Sequence, residues 1–402
     1  MHAIYAFGVL ILLAFLGSRL LYRRSRPLSP FNFLFLTGLV YIFLVLFLGR
    51  QGTNILSSEV LRGFAPLISL GLGWIGFLFG FQLERRYLRR FPVKFLWLSW
   101  FQFLFNLLFT ILLLTFALGR ILPETPSPLR YGMAIAFGLL VSLNSPTLLN
   151  AVASRLPCRG DYYYLARFLS SVGAFWGITG LMLLQSFWRF PPSAGPAWLR
   201  GAGWTAASTM LPMLLGYLFH RLTKGRVAEQ DLLVYLLGLV FFASGAAVFF
   251  NQAPLYVGMV LGITYSNLTR IQERIYPLLL SSEKPLFVVL LVLIGALWEF
   301  RLDPAALALV GLVLFSGAAG NILPLPLLGR ALRFPVRLPH RFGLCFLSAG
   351  GIGVAFAVSL KLAYPMPETD LFLGISLTVI ILSELISPGV IRLVLDPLDE
   401  ET

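Results

Sequence analysis

Ser142, Asn144, Ser145 and Pro146 stand together in the stretch 138–150, inside an otherwise apolar run long enough to cross a bilayer. Proline lacks a backbone donor and its ring clashes with the carbonyl one turn earlier, so a helix here breaks or kinks. Freed backbone groups at membrane depth persist only where protein or a watery cavity surrounds them. Interrupted helices of this kind point to a transporter's binding site; an ordinary proline kink held by serine hydroxyls is the plain alternative. A second cluster, 344–354, holds Ser348 with Gly350, Gly351 and Gly353. Glycine weakens a helix and lets another backbone come close, and a small-residue packing face is the alternative there. Glu384 is the one acidic residue well inside an apolar span. An intramembrane carboxylate is costly and a functional candidate by default, and this one is the candidate proton carrier. Arg392 follows eight residues later, about 12 Å at helical rise, so contact with interfacial water is the alternative.

The chain that carries these groups has 402 residues, of which 58% are hydrophobic and 12% charged, with a mean hydropathy of +0.85. That charged share is about half of what soluble domains carry. It excludes a soluble enzyme and predicts an all-α polytopic membrane protein. Cys158 and Cys345 lie far apart and offer neither metal-ligand spacing nor a disulfide framework. His2, His220 and His340 fall at span ends and form no cluster, and no glycine-rich phosphate loop opens a helix. No enzymatic chemistry, resident metal or cofactor is expected.

About thirteen apolar spans, each near the roughly 20 residues that cross hydrocarbon, run from residue 3 to residue 394. The fifth is 131–153, the eleventh 304–322, the twelfth 342–362 and the thirteenth 371–394. With the N-terminus outside, the cytoplasmic connections collect most of the 31 Lys and Arg, among them Arg85, Arg86, Arg89, Arg90, Arg330, Arg333 and Arg341. This bias orients the chain with its C-terminus in the cytoplasm. The net charge of +14 thus reads as topology, with anionic lipid headgroups rather than nucleic acid as its partner. Gln102 and Asn106, four apart on one helical face, read as interhelical glue, with a pore lining as the alternative. The two broken spans, fifth and twelfth, run in opposite directions, as inverted repeats require.

Several stretches in order resemble the membrane domain of the cation/proton antiporter superfamily, that of sodium/proton and Kef-type potassium/proton exchangers. Leu72–Gln82 is similar to that family's third span. Ser142–Pro146 resembles its serine/threonine–Asp–Pro break, Tyr256–Asn267 through Gly295 the stretch ending in its Phe-Phe-x-x-x-Gly helix, and Ser348–Gly353 its second break. The resemblance implies an inverted-repeat fold with two crossing discontinuous helices, Asn144 and Gly351 near the crossing. It implies one transmembrane domain over 1–394, core helices near 95–188 and 304–394, and a short cytoplasmic tail at 395–402. It further implies exchange of a monovalent cation, sodium or potassium, against protons by alternating access in the bacterial inner membrane, and it is compatible with a homodimer.

Against that pattern, the chain has Gly173 and Ala174 where the family carries its Asn-Asp or Asp-Asp pair, and Ser145 replaces the aspartate of the first break. Asn321 is the nearest match to a family lysine or arginine. A buried cation without its carboxylate is expensive, so these losses fit one another. They leave an expected neutral cavity lined by Ser142, Asn144, Ser145, Ser170, Ser171, Asn321 and Ser348, whose oxygens suit a partly hydrated monovalent cation. A proton needs a titrating group, and Glu384 is the candidate. A membrane regulator or scaffold that no longer exchanges ions, and a transporter of a neutral or anionic solute, are the alternative functions.

Overall fold

The computed structural model describes residues 63–153, 160–188, 196–223, 229–269, 275, 279, 288–298, 303–334 and 338–400. In chain order the helices are α1 Ala65–Gln82, α2 Arg85–Leu88, α3 Val93–Ile121, α4 Ser127–Val141, α5 Pro146–Ala153, α6 Asp161–Trp188, α7 Ala197–Thr223, α8 Glu229–Phe249 and α9 Pro254–Leu268. They continue with α10 Val288–Leu297, α11 Pro304–Ile322, α12 Pro324–Ala331, α13 Gly350–Ala363 and α14 Pro367–Glu400, and a 3-10 helix, His340–Phe346, precedes α13. The protein is an all-α polytopic membrane protein. The third to the thirteenth expected spans each fall on one of these helices or a helix pair; the first two lie outside the described residues. The last helix does not stop at residue 394 but continues to Glu400, through most of the expected tail.

Two compact units divide the chain. In the first, which takes residues 185–298 and the described residues up to Arg90, α1 and α9 run backbone against backbone. A Cβ on Gly76 would collide with the carbonyl of Leu255, and one on Gly262 with that of Phe77. Small residues at such spacing are how membrane helices gain close packing. Trp74, Phe77, Phe81 and Tyr265 fill the seam beside them.

The second unit takes 91–184 and 299–402 and holds both broken helices. Aromatic packing fixes one end of it: Phe91 stacks at 4.2 Å from Phe168, and Phe95 lies 4.6 Å from Phe334. Inside, α6 presents Gly173, Gly177 and Gly180 to the end of α4. A Cβ on Gly177 or Gly180 would meet Leu143 and Leu139. The glycine stripe lets α6 press against the break in the first interrupted helix, and so positions the site.

Candidate functional site

The first break spans Ser142–Ser145, between α4 and α5. Pro146 opens α5, where its missing N–H costs nothing. Ser145 caps that helix: the Thr147 N–H donates to its Oγ at 3.4 Å, and its own hydroxyl donates to Thr147 Oγ1 at 3.1 Å. The second break spans Leu347–Ala349, and the segments on either side of it are bent by 59°. Gly350 starts α13 at φ +55°, a left-handed conformation that glycine adopts without a Cβ clash.

The two breaks cross in contact. The N–H of Ser145 donates to the carbonyl of Ser348 at 2.9 Å. A Cβ on Gly350 would lie 2.6 Å from Ser145 Oγ. Gly350, rather than the expected Gly351, is therefore the glycine at the crossing, because its left-handed turn brings its bare Cα against the other break. Gly351 is the next residue of α13 and is only partly buried.

Four helix ends meet in this region: the carbonyl ends of α4 and the 3-10 helix, and the amide ends of α5 and α13. Helix ends leave backbone groups unsatisfied and carry partial charge. Side-chain amides serve the carbonyl ends. Asn321 Nδ2 donates to Phe346 O at 3.0 Å, and Asn106 Nδ2 to Val141 O at 3.1 Å. Asn321 Oδ1 in turn accepts from Gln102 at 3.3 Å and Asn106 at 3.2 Å. Gln102 and Asn106 are thus glue between α3 and α11, as their spacing suggests, and Asn106 also caps a broken helix.

A carboxyl serves the amide end of α13. Glu384, on α14, is 1% exposed. Its Oε1 accepts a short hydrogen bond from the Ser348 hydroxyl, and the Gly350 N–H bonds the same carboxyl. Its Oε2 has no partner among the described residues. Anions are favoured at such a helix start. Water at the membrane surface is not what hydrates this group; it sits at the crossing itself.

The remaining candidates divide. Asn144 reaches α6, with Nδ2 3.1 Å from where a Cβ on Gly173 would stand, so the amide occupies room that a side chain at 173 would claim. Asn144 Oδ1 and Ser170 Oγ are buried without partners among the described residues. Ser142 and Ser171 instead donate to the carbonyls of Gly138 at 2.7 Å and Arg167 at 3.0 Å, on their own helices. A small cavity of about 30 Å³ lies against the crossing, enough for a water molecule. Its wall is largely apolar, built from Leu140, Val141, Val313 and Ile380 with Asn321 and Ser383. Of the seven residues expected to line one cavity, Asn321 lines this one, while Ser142 and Ser171 satisfy their hydroxyls on the preceding turn.

The structure is similar to that of the sodium proton antiporter MjNhaP1 from Methanocaldococcus jannaschii at pH 8, with a TM-score of 0.68 and 16% sequence identity over 98% of this chain and 99% of that one. An electron-microscopy structure of the same antiporter gives 0.65 at 18% identity, covering 98% of each chain. The fold is that of a sodium/proton antiporter. No protein-family model and no curated protein sequence matches the chain. Within the antiporter fold, the crossing holds a carboxyl from α14 and carboxamides from α3, the first break and α11. Among the described residues no group of His, Cys, Asp and Glu could hold a resident metal ion.

Proposed function

We propose that the chain is a secondary transporter exchanging a monovalent cation, sodium or potassium, for protons by alternating access, with Glu384 as the exchanging carboxyl. The observation that carries this reading is a buried carboxyl held at the crossing by Ser348, with one oxygen unpartnered among the described residues. A carboxyl can hold a proton on one half-cycle and face a cation on the other. Asn144 Oδ1 and Ser170 Oγ, both buried and unpartnered among the described residues, supply neutral oxygen ligands of the kind hard cations prefer. In this reading the N-terminus is outside and the C-terminus cytoplasmic.

One observation favours a non-exchanging scaffold instead: the bonds from Ser348 and Gly350 also make Glu384 a cap for α13. Purified protein in proteoliposomes separates the two. Under sodium, potassium, lithium or chloride gradients, ion flux and internal pH are read for the wild type and for Glu384→Gln. The glutamine keeps shape and hydrogen bonding but cannot release a proton. Transport predicts cation-dependent pH change in the wild type and its loss, with normal insertion, in the variant. Exchange that survives in Glu384→Gln removes the carboxyl from the mechanism, and a wild type silent to every cation favours the scaffold.

A further inference from the structure

The second unit carries another pocket, away from the crossing. It has a volume of about 620 Å³ and lies between the end of α12 and the start of the 3-10 helix. Phe334, Leu338 and Pro339 give it apolar walls, and Arg330, Arg333 and His340 give it a cationic rim. Among the described residues neither arginine is paired with a carboxylate and no acidic side chain lines the pocket. All three cationic groups are exposed.

Arg333 is held there in an unusual way. The Phe334 N–H bonds Gly329 O at 2.9 Å, and the Arg333 N–H bonds Arg330 O at 3.1 Å. This pair of bonds closes a helix through one residue in the left-handed region, a place normally taken by glycine. Here the residue is Arg333, at φ +48°, where a Cβ crowds the following carbonyl. The turn itself gains nothing from arginine over glycine. Arg333 instead lines the pocket together with Arg330.

The surroundings say what it meets. Leu323 and Leu327, one helical turn apart, are 44% and 66% exposed on the outer side of α12. Exposed apolar side chains next to a row of cations mark the level where hydrocarbon gives way to headgroups. Arginine forks suit phosphate oxygens.

We propose that this pocket binds the phosphate headgroup of an anionic phospholipid, with Arg330 and Arg333 on the phosphate and the apolar walls against the glycerol backbone. The site does not depend on the transport reading. It is tested by thermal unfolding of the purified protein in neutral detergent, with phosphatidylglycerol, phosphatidylcholine or inorganic phosphate added. Phosphatidylglycerol should raise Tm by about 3–6 °C, and the other two should not. Arg333→Gly is the telling variant, since it suits the turn. Its lipid-free Tm should equal or exceed the wild type, while at least half of the lipid-induced rise is lost; adding Arg330→Gln should remove the rest. A full rise in the double variant, or an equal rise with phosphatidylcholine or inorganic phosphate, overturns the proposal. So does a lower lipid-free Tm in Arg333→Gly, which would make the arginine a servant of the turn.

Discussion

The first turn of a helix offers unpaired amide hydrogens and the last turn unpaired carbonyls, so two broken helices that cross present both kinds at one depth. In hydrocarbon each must find a partner from the protein. Asn321 and Asn106 answer the carbonyls of Phe346 and Val141, while Glu384 answers the amide end of α13. Asn321→Leu keeps the volume but strips the carboxamide from Gln102, Asn106 and the Phe346 carbonyl. Each buried group so orphaned costs about 1–3 kcal/mol, so a marked loss of stability is expected in detergent unfolding; a variant as stable as wild type would show that water replaces the amide. Ser145 makes a sharper test of Glu384. Its Oγ lies against Gly350, on which Glu384 also closes, so an aspartate at 145 would bring a carboxylate to the same helix start from the opposite break. Ser145→Asp alone adds a like charge beside Glu384 and should lower both Tm and flux. In a Glu384→Gln background the same change should recover part of the proton-coupled flux. Recovery of Tm without recovery of flux would assign the carboxyl to capping alone.

At the scale of elements, what holds the crossing is backbone approach, and glycine is where it is decided. Gly350 combines φ +55° with a virtual Cβ 2.8 Å from Ser145 Cβ, so Gly350→Ala must either push the breaks apart or twist the start of α13. A large drop in folded yield and loss of flux are expected. Gly311, inside α11 with nothing within 4 Å of its Cβ position, is the control. Gly311→Ala should be neutral or stabilise by about 0.5–1 kcal/mol, the usual gain in a helix interior. Equal effects at the two positions would mean that the crossing is not tight. The breaks are legible in the sequence because their causes are local: Pro146 in one, three glycines in four residues in the other. The spans are legible for a similar reason, since length and apolarity are properties of a window. The partners are not. Ser348 and Glu384 are 36 residues apart, and Gln102 and Asn321 are 219 apart, and no periodicity encodes such pairings. Where the candidate hydroxyls point is equally hidden. Hydroxyl content can be counted from sequence, but whether Ser142 turns to a cavity or back to Gly138 is settled by packing. Pro388, one turn after Glu384, cannot donate to the Glu384 carbonyl, so α14 is loosened where its carboxyl meets the site.

For the molecule as a whole, the charge pattern sets an orientation that is open to direct measurement. The connection between α1 and α3 carries Arg85, Arg86, Arg89 and Arg90, with Lys94 in the first turn of α3, and the short α2 within it has no buried residue. The end of α7 carries His220 and Arg221, whereas the connection between α3 and α4 holds Glu124, with Arg120 and Arg130 in the flanking helix turns. Translocating a cluster of arginines is unfavourable against the membrane potential and the anionic inner leaflet, so the proposed orientation puts the first two places in the cytoplasm and the third outside. Under that proposal Arg330 and Arg333 face the leaflet that holds the anionic headgroups. Cysteines introduced at Arg89, Arg221 and Glu124, one at a time in a chain lacking Cys158 and Cys345, should report it in intact cells. An impermeant maleimide added outside should label Glu124→Cys and leave Arg89→Cys and Arg221→Cys untouched until the membrane is opened. Labelling of all three from outside would indicate mixed insertion. The reverse pattern would invert the molecule, putting the basic loops and the Arg330–Arg333 pocket on the outer face.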